Sequence, residues 1–174
     1  MATIRRLTTV TDADVRGLAA LLVECVEGGA SVSFLRPLSL AKAEVFWRRV
    51  ADGVARGERA LLVADDGRGI VGTVHLVLDQ PENQAHRAEL VKMLVGHRAR
   101  RQGLGTALMH AAEQVGRECG KTLLILDTVT GGDAERLYMS LGWTRVGVIP
   151  DYAVDPDGEL CAATYLYRTL VMPR

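Results

Sequence analysis

The stretch HRAELVKMLVGHRARRQGLGTALMHAAEQVGRECG, residues 86–120, restricts the folds open to this chain more than any other. It reads as a strand (86–95), a turn (96–102) and an amphipathic helix (103–119). Leu104, Ala107, Leu108, Ala111, Val115 and Cys119 recur on one stripe of that helix. The next segment, KTLLILDTV (121–129), is a continuous apolar run, as expected for a strand buried on both faces. Strand, helix and strand then make a crossover, and such connections are right-handed.

The flanking sequence fills in around this unit. TIRRLT (3–8) predicts a first strand. Thr11 or Asp12 can cap a helix whose Val15, Leu18, Leu22 and Val26 share a face and which Gly28 and Gly29 stop. A second helix starts at Ser39, with Leu40, Ala43, Trp47, Val50 and Val54 on one stripe, and Gly57 ends it. RALLVADD and GIVGTVHLVLD are strands joined by a hairpin turn, DGRG. GDAERLYMSLGW (132–143) predicts a short helix ending at Gly142. TRVGVI (144–149) and AATYLYRTLV (162–171) predict the last strands, with a turn-rich PDYAVDPDGE between them. The order is β-α-α-β-β-β-α-β-α-β-β, one domain over 1–174, of the α/β (α+β) class, with helices over both faces of a mixed sheet.

The turn at 96–102 concentrates positive charge that the whole chain lacks. Lys and Arg total 21 and so do Asp and Glu, which leaves no overall field to draw in nucleic acid or a membrane surface. Free amides at a helix start attract an anion, and Gly103 and Gly105 would let a phosphate touch the backbone. Arg98, Arg100 and Arg101 would add charge at the rim. A solvated basic bend is the other reading of the same residues. The P-loop pattern fails because no Lys-Ser/Thr pair follows, and the dinucleotide pattern fails because Leu108 replaces its third glycine. RRQGLG does satisfy R/Q-x-x-G-x-G/A. Three separated cysteines (Cys25, Cys119 and Cys161) show neither a disulfide framework nor a metal-ligand pair. The histidines have no metal-ligand spacing, so no metal is expected, and His75, His86, His97 and His110 read as surface or packing residues. With no secretory leader and no apolar run of about 18 residues, the expectation is a cytoplasmic protein.

VKMLVGHRARRQGLGTALM resembles the acetyl-CoA-binding motif of the GNAT N-acetyltransferase superfamily, and AERLYMSLGW resembles its next signature, with Trp143 in the aromatic place. The resemblance implies a mostly antiparallel twisted sheet of about seven strands with about four helices. Where the family often carries an Asn this chain has Gly131, so that contact is absent or falls to Asp133. GGASVSF, RAELVKMLV, LDTVTG, LYMSLGWTRVGVIPDY and PDGEL further resemble the tabtoxin-resistance acetyltransferase group, whose members acetylate an amino-acid toxin. The resemblance implies acetyl-CoA as co-substrate, bound by Met93, Leu94, Val95, Arg98, Arg100, Arg101, Gln102, Gly103, Leu104, Gly105, Thr106, Asp133 and Tyr138.

Acetyl transfer needs a neutral amine, although amines with a pKa of ~10.4 are protonated at neutral pH. Glu89 and Asp127 interrupt apolar runs on the two strands expected to flank the acetyl group, and are candidate bases acting directly or through water. Pairing of Glu89 with Arg87 or Lys92, and capping of the following turn by Asp127, are the structural alternatives. Tyr138 is the candidate acid for the departing thiolate, or else a core aromatic with its hydroxyl bonded to backbone. Phe34 and Tyr152, with Glu89 and Asp127, are the candidate substrate contacts. The Gly28-Gly29 bend and the DYAVDPDGE loop are expected to form opposite walls. The acceptor reads as a small amine, an amino acid or an amino-acid-like toxin; a peptide or protein amine, or a non-catalytic acyl-CoA sensor, are the other readings. TYLYRTLV is either an edge that could pair in a homodimer or an ordinary inner strand.

Overall fold

In strand β2, Arg59–Asp65, neighbouring side chains enter different cores. Ala60, Leu62 and Ala64 join one cluster, and Leu61 and Val63 the other. Both faces are covered, so the strand is apolar without alternation. The computed structural model describes residues 2–171. The other elements are β1 (Thr3–Leu7), α1 (Asp12–Glu27), α2 (Leu40–Ala55), β3 (Ile70–Val77), β4 (Arg87–Val95), α3 (Leu104–Glu118), β5 (Leu123–Val129), α4 (Asp133–Ser140), β6 (Thr144–Val154) and β7 (Leu160–Thr169). The strands form a 7-stranded sheet in the order β1-β2-β3-β4-β5-β7-β6. Only β4 and β5 run parallel.

Helices α1 and α2 cover one face, where Val15, Leu18, Leu22, Ala43, Trp47 and Val50 pack on Leu7, Leu61 and Val63. On the other face Leu108, Met109 and Ala112 of α3 and Tyr138 of α4 pack on Leu62, Leu76, Leu90, Leu124, Leu126 and Leu166. The caps follow local chemistry. Thr11 and Asp14 form a reciprocal capping box, and Ser39 accepts from the Lys42 amide.

Three expectations from sequence need correction. The α3 stripe is shifted in part: Leu104, Leu108 and Val115 are buried as read, but Met109, Ala112 and Gly116 join them and Ala107 is exposed, because the core that α3 meets extends round the helix to that side. Strand β5 buries only Leu124 and Leu126, while Asp127 opens to solvent. Strand β6 runs on past Ile149 through an irregularity to Val154, taking in half of the expected loop. TYLYRTLV falls within and just after β7, an inner strand between β5 and β6, so the free edge belongs to β6.

Two irregularities interrupt the middle of the sheet. Strands β4 and β5 pair only at Arg87↔Leu123, Ala88↔Leu124 and Glu89↔Ile125, after which β5 continues on β7 and β4 on β3. On β4, Thr73↔Leu94 and His75↔Val91 bracket a bulge in which Lys92 and Met93 face the single residue Val74. Lys92 there has φ 52°, in the left-handed region.

The buried Glu113 of α3 ties this core to the strand end. It accepts from Trp143 Nε1 at 3.1 Å and lies near Arg117 and Arg168, both at 3.7 Å. Trp143→Phe removes one donor from this buried carboxylate and should cost about 1–3 kcal/mol, read as a lower urea midpoint; an unchanged midpoint would mean that the two arginines suffice.

Candidate active site

The turn before α3 leaves its amides free. Gly103 is the N-cap, with φ 78°, and Ala107 N–H is the first helical donor, to Gly103 O at 3.0 Å. The amides of residues 101–106 find no acceptor among the described residues. A row of unpaired N–H groups at the positive end of a helix is suited to a phosphate or diphosphate. The two glycines act differently. A Cβ at Gly103 would meet nothing within 4 Å, so the positive φ is what favours glycine there; a Cβ at Gly105 would lie 3.0 Å from Leu137 Cδ2, so it would press on a leucine side chain of α4.

The arginines divide likewise. Arg98 is held by Asp66 of the β2–β3 turn at 3.0 Å, and Arg100 Nε donates to Val95 O at 3.0 Å. Arg101, at φ 56°, makes no side-chain hydrogen bond or ion pair among the described residues. Gln102 donates to Arg98 O at 2.9 Å and so braces the turn. Asp133 is at the surface, ion-paired with Arg136. The loop entering the turn is fixed from α1 by Glu24, which accepts from His97 N–H at 2.6 Å.

Beyond Glu89 the parted strands β4 and β5 leave backbone without a ladder partner on the sides facing each other. Register places Arg59, Val77, Glu89 and Ile125 across one face, and Leu61, His75 and Val91 along the next row of that face, with Asp127 and Tyr165 on its β5–β7 continuation. His75 meets Trp47 of α2, which identifies this as the α1–α2 side. Met93 and Val95 pack with the α3 cluster, whereas Leu94 lies in the α1–α2 cluster. Tyr138 comes from α4 on the opposite side of the sheet and is buried against Trp143.

The two carboxylates differ. Glu89 is half-exposed and paired with Arg87 at 3.2 Å, the alternative that its sequence position left open. Asp127 has no ion-pair partner among the described residues, and the following helix is capped by Gly132 with no side-chain bond. Water reaches Asp127 from the open side, but the cleft walls strip enough solvent to push its carboxyl above the ordinary range. The charge of Lys92 opposes this and that of Glu89 adds to it. Burial also pushes the Tyr138 hydroxyl up, and Asp127 adds to the shift, so the charge on β5 is felt across the split. No hydrogen bond to the Tyr138 hydroxyl is found among the described residues.

Sequence reasoning missed several neighbours. Tyr165, register partner of Asp127, shares a 2.6 Å hydroxyl contact with Tyr152. Lys92 reaches this side, with Nζ 3.1 Å from Ser33 Oγ and 5.6 Å from the Phe46 ring centroid. Phe34 packs edge-on against Phe46 at 5.3 Å. Arg36 bridges the two expected walls. Its guanidinium donates to Asp157 and to Glu27 O, and its amide donates to Pro156 O at 3.2 Å. No group of His, Cys, Asp and Glu among the described residues is placed to hold a metal, and no helix among them is long and apolar enough to cross a membrane. A cavity of about 510 Å³ lined by Arg6, Glu58, Cys119 and Lys121 opens at the other end of the strands and contains none of the candidate groups.

The sign of the Asp127 shift gives a test. Its folded-state pKa is raised, so the fold favours the protonated acid, and that contribution is lost as pH rises through the raised value. Asp127→Asn should therefore melt no lower than the parent at neutral pH. Its advantage should shrink as pH falls toward the ordinary carboxyl range. A variant less stable at neutral pH would show that the ionised form is a structural partner.

A sequence model of the Acetyltransferase (GNAT) family matches residues 32–143. The chain is 30% identical over 127 residues to an uncharacterized N-acetyltransferase of the hisH-hisA intergenic region of Azospirillum brasilense, covering 72% of this chain and 74% of that one. Human N-acetyltransferase 8 is 36% identical over 87 residues, which are 49% of this chain and 38% of that protein, so the chain spans well under half of that relative. Among solved structures, ribosomal-protein-alanine N-acetyltransferase of Brucella melitensis superposes with a TM-score of 0.81 at 23% identity, over 97% of this chain and 99% of that one. The acetyltransferase-like yncA of Salmonella typhimurium, solved with its cofactor acetyl-CoA, superposes with a TM-score of 0.79 at 19% identity, over 100% of this chain and 96% of that one. Fold and family match agree: the chain belongs to the GNAT acetyltransferase family.

Proposed function

We propose that this protein is an acetyl-CoA-dependent N-acetyltransferase that acts on a small-molecule amine. The observation that carries the reading is the split between β4 and β5, which ends at the free amides of residues 101–106. Those amides and Arg101 would take the diphosphate, and the unpaired edge of β4 over Met93–Val95 would hold the pantetheine arm and polarise the thioester carbonyl. One such preorganised donor typically contributes about 3 kcal/mol.

The reaction forms a C–N bond and breaks the C–S bond of the thioester. Asp127 is the better placed base, because no arginine holds it and its raised pKa suits proton removal from an ammonium. Tyr138 approaches from the other side of the sheet. Burial keeps its hydroxyl protonated at every working pH, so it can bond to the departing sulfur and give up its proton as charge gathers there. Glu89 then serves to set the local field.

The Arg36 bridge between the 28–38 and 150–159 segments supports a small acceptor over a peptide chain, since it closes the side along which a peptide would lie. The likeness to the tabtoxin-resistance group adds amino-acid toxins to the candidates, and detoxification is the role such an acceptor would imply.

Acetyl-CoA should raise the melting temperature, as a ligand of the folded state must, and thiol release should follow on addition of an amine. Asp127→Asn should lower kcat about 100-fold or more and Tyr138→Phe about tenfold or more, with the acetyl-CoA-dependent stabilisation kept in both. Stabilisation without thiol release from any amine or peptide would identify a sensor instead.

A further inference from the structure

Lys92 points to what else the acceptor carries. The bulge on β4 turns it toward the α1–α2 face, where Ser33 Oγ is its one hydrogen-bond partner among the described residues. An ammonium has three donors, so two remain. No carboxylate among the described residues lies within ion-pair distance of Nζ, although the Asp127 charge is felt there.

The layer beneath Lys92 consists of donors as well. His75 is fully buried, and Arg59 Nη1 lies 2.9 Å from its Nε2. A guanidinium only donates, so Nε2 must accept and the imidazole proton belongs on Nδ1. Burial, with Arg59 and Lys92 nearby, holds this ring neutral. His75 Nδ1 then donates to nothing, and neither does Trp47 Nε1, which is also buried and whose ring centroid is 5.9 Å from that of His75. Lys92 thus brings two unused ammonium donors to this face of the sheet with no carboxylate among the described residues in ion-pair distance, whereas Asp127 stands without an ion-pair partner on β5 beyond the split; the unused His75 and Trp47 donors are sealed beneath. A cleft polarised in this way fits a solute that carries both charges.

Resting on the acetyltransferase reading, we infer that the acceptor is an amino-acid-like zwitterion whose carboxylate is bound by Lys92 and Ser33 while its amine faces Asp127. Lys92 is then the specificity-determining residue, and the phenyl wall of Phe34 and Phe46 shields the ion pair from water.

The test compares free amino acids with their carboxamides and with the corresponding decarboxylated amines, by thiol release from acetyl-CoA. The wild-type protein should favour the acids by about tenfold or more in kcat/KM. Lys92→Met should raise KM for the acids by about tenfold or more relative to the carboxamides, any change carried through Asp127 falling on kcat of both, and should keep KM for acetyl-CoA and its thermal stabilisation. Lys92→Arg should restore part of the preference. Equal use of acids and carboxamides by the wild type would overturn the inference and leave the acetyltransferase reading standing, as would an equal loss on all acceptors in a folded Lys92→Met. Turnover with no amine would overturn both.

Discussion

Two adjacent strands that stop pairing leave backbone donors and acceptors facing each other across a gap, and buried groups of that kind need partners. In this fold the gap opens after Glu89↔Ile125, in the one parallel pairing among the described residues. The groups proposed for function are arranged along it. The turn into α3 supplies free amides at one end, and side chains from two sheet faces converge on its sides. A continuous sheet would satisfy its own backbone and have no place for an extended thioester arm.

The charges around the gap are distributed with equal consequence. Basic groups near the helix start are partly spent on structure: Arg98 braces the β2–β3 turn and Arg100 the end of β4, while Arg101 has no side-chain partner among the described residues. On the α1–α2 face of the sheet Glu89 is paired with Arg87, while Asp127 has no ion-pair partner among the described residues and feels Lys92 only as a more distant charge. A confined and unpaired carboxylate destabilises the fold, and such a cost is common where a group must exchange protons.

How much of this was legible in the sequence depended on range. The caps at Thr11 and Ser39, the strand–turn–helix unit and the glycines before α3 are encoded within a few residues, and they could be read. Asp127, Glu89 and Tyr138 could be named because each breaks an apolar run or lies in a recognisable signature. The orientation of Lys92 could not, since it depends on a bulge set by pairing with Thr73 and His75 on another strand. Tyr165 becomes a neighbour of Asp127 only through β5–β7 register, and Arg36 meets Pro156 and Asp157 across most of the chain. The apolar run at 121–129 suggested a strand buried on both faces, because sequence shows hydrophobicity but not where a neighbouring strand departs.

Gly105 carries one further consequence. Its missing side chain lets Leu137 of α4 rest against the opening turn of α3, and Leu137 directly precedes Tyr138. The proposed anion cradle and the proposed proton donor therefore share a packing contact. A side chain larger than a methyl at 105 would press on Leu137 and through it on the helix that carries Tyr138, so the start of α3 and the proposed proton donor would feel one substitution together.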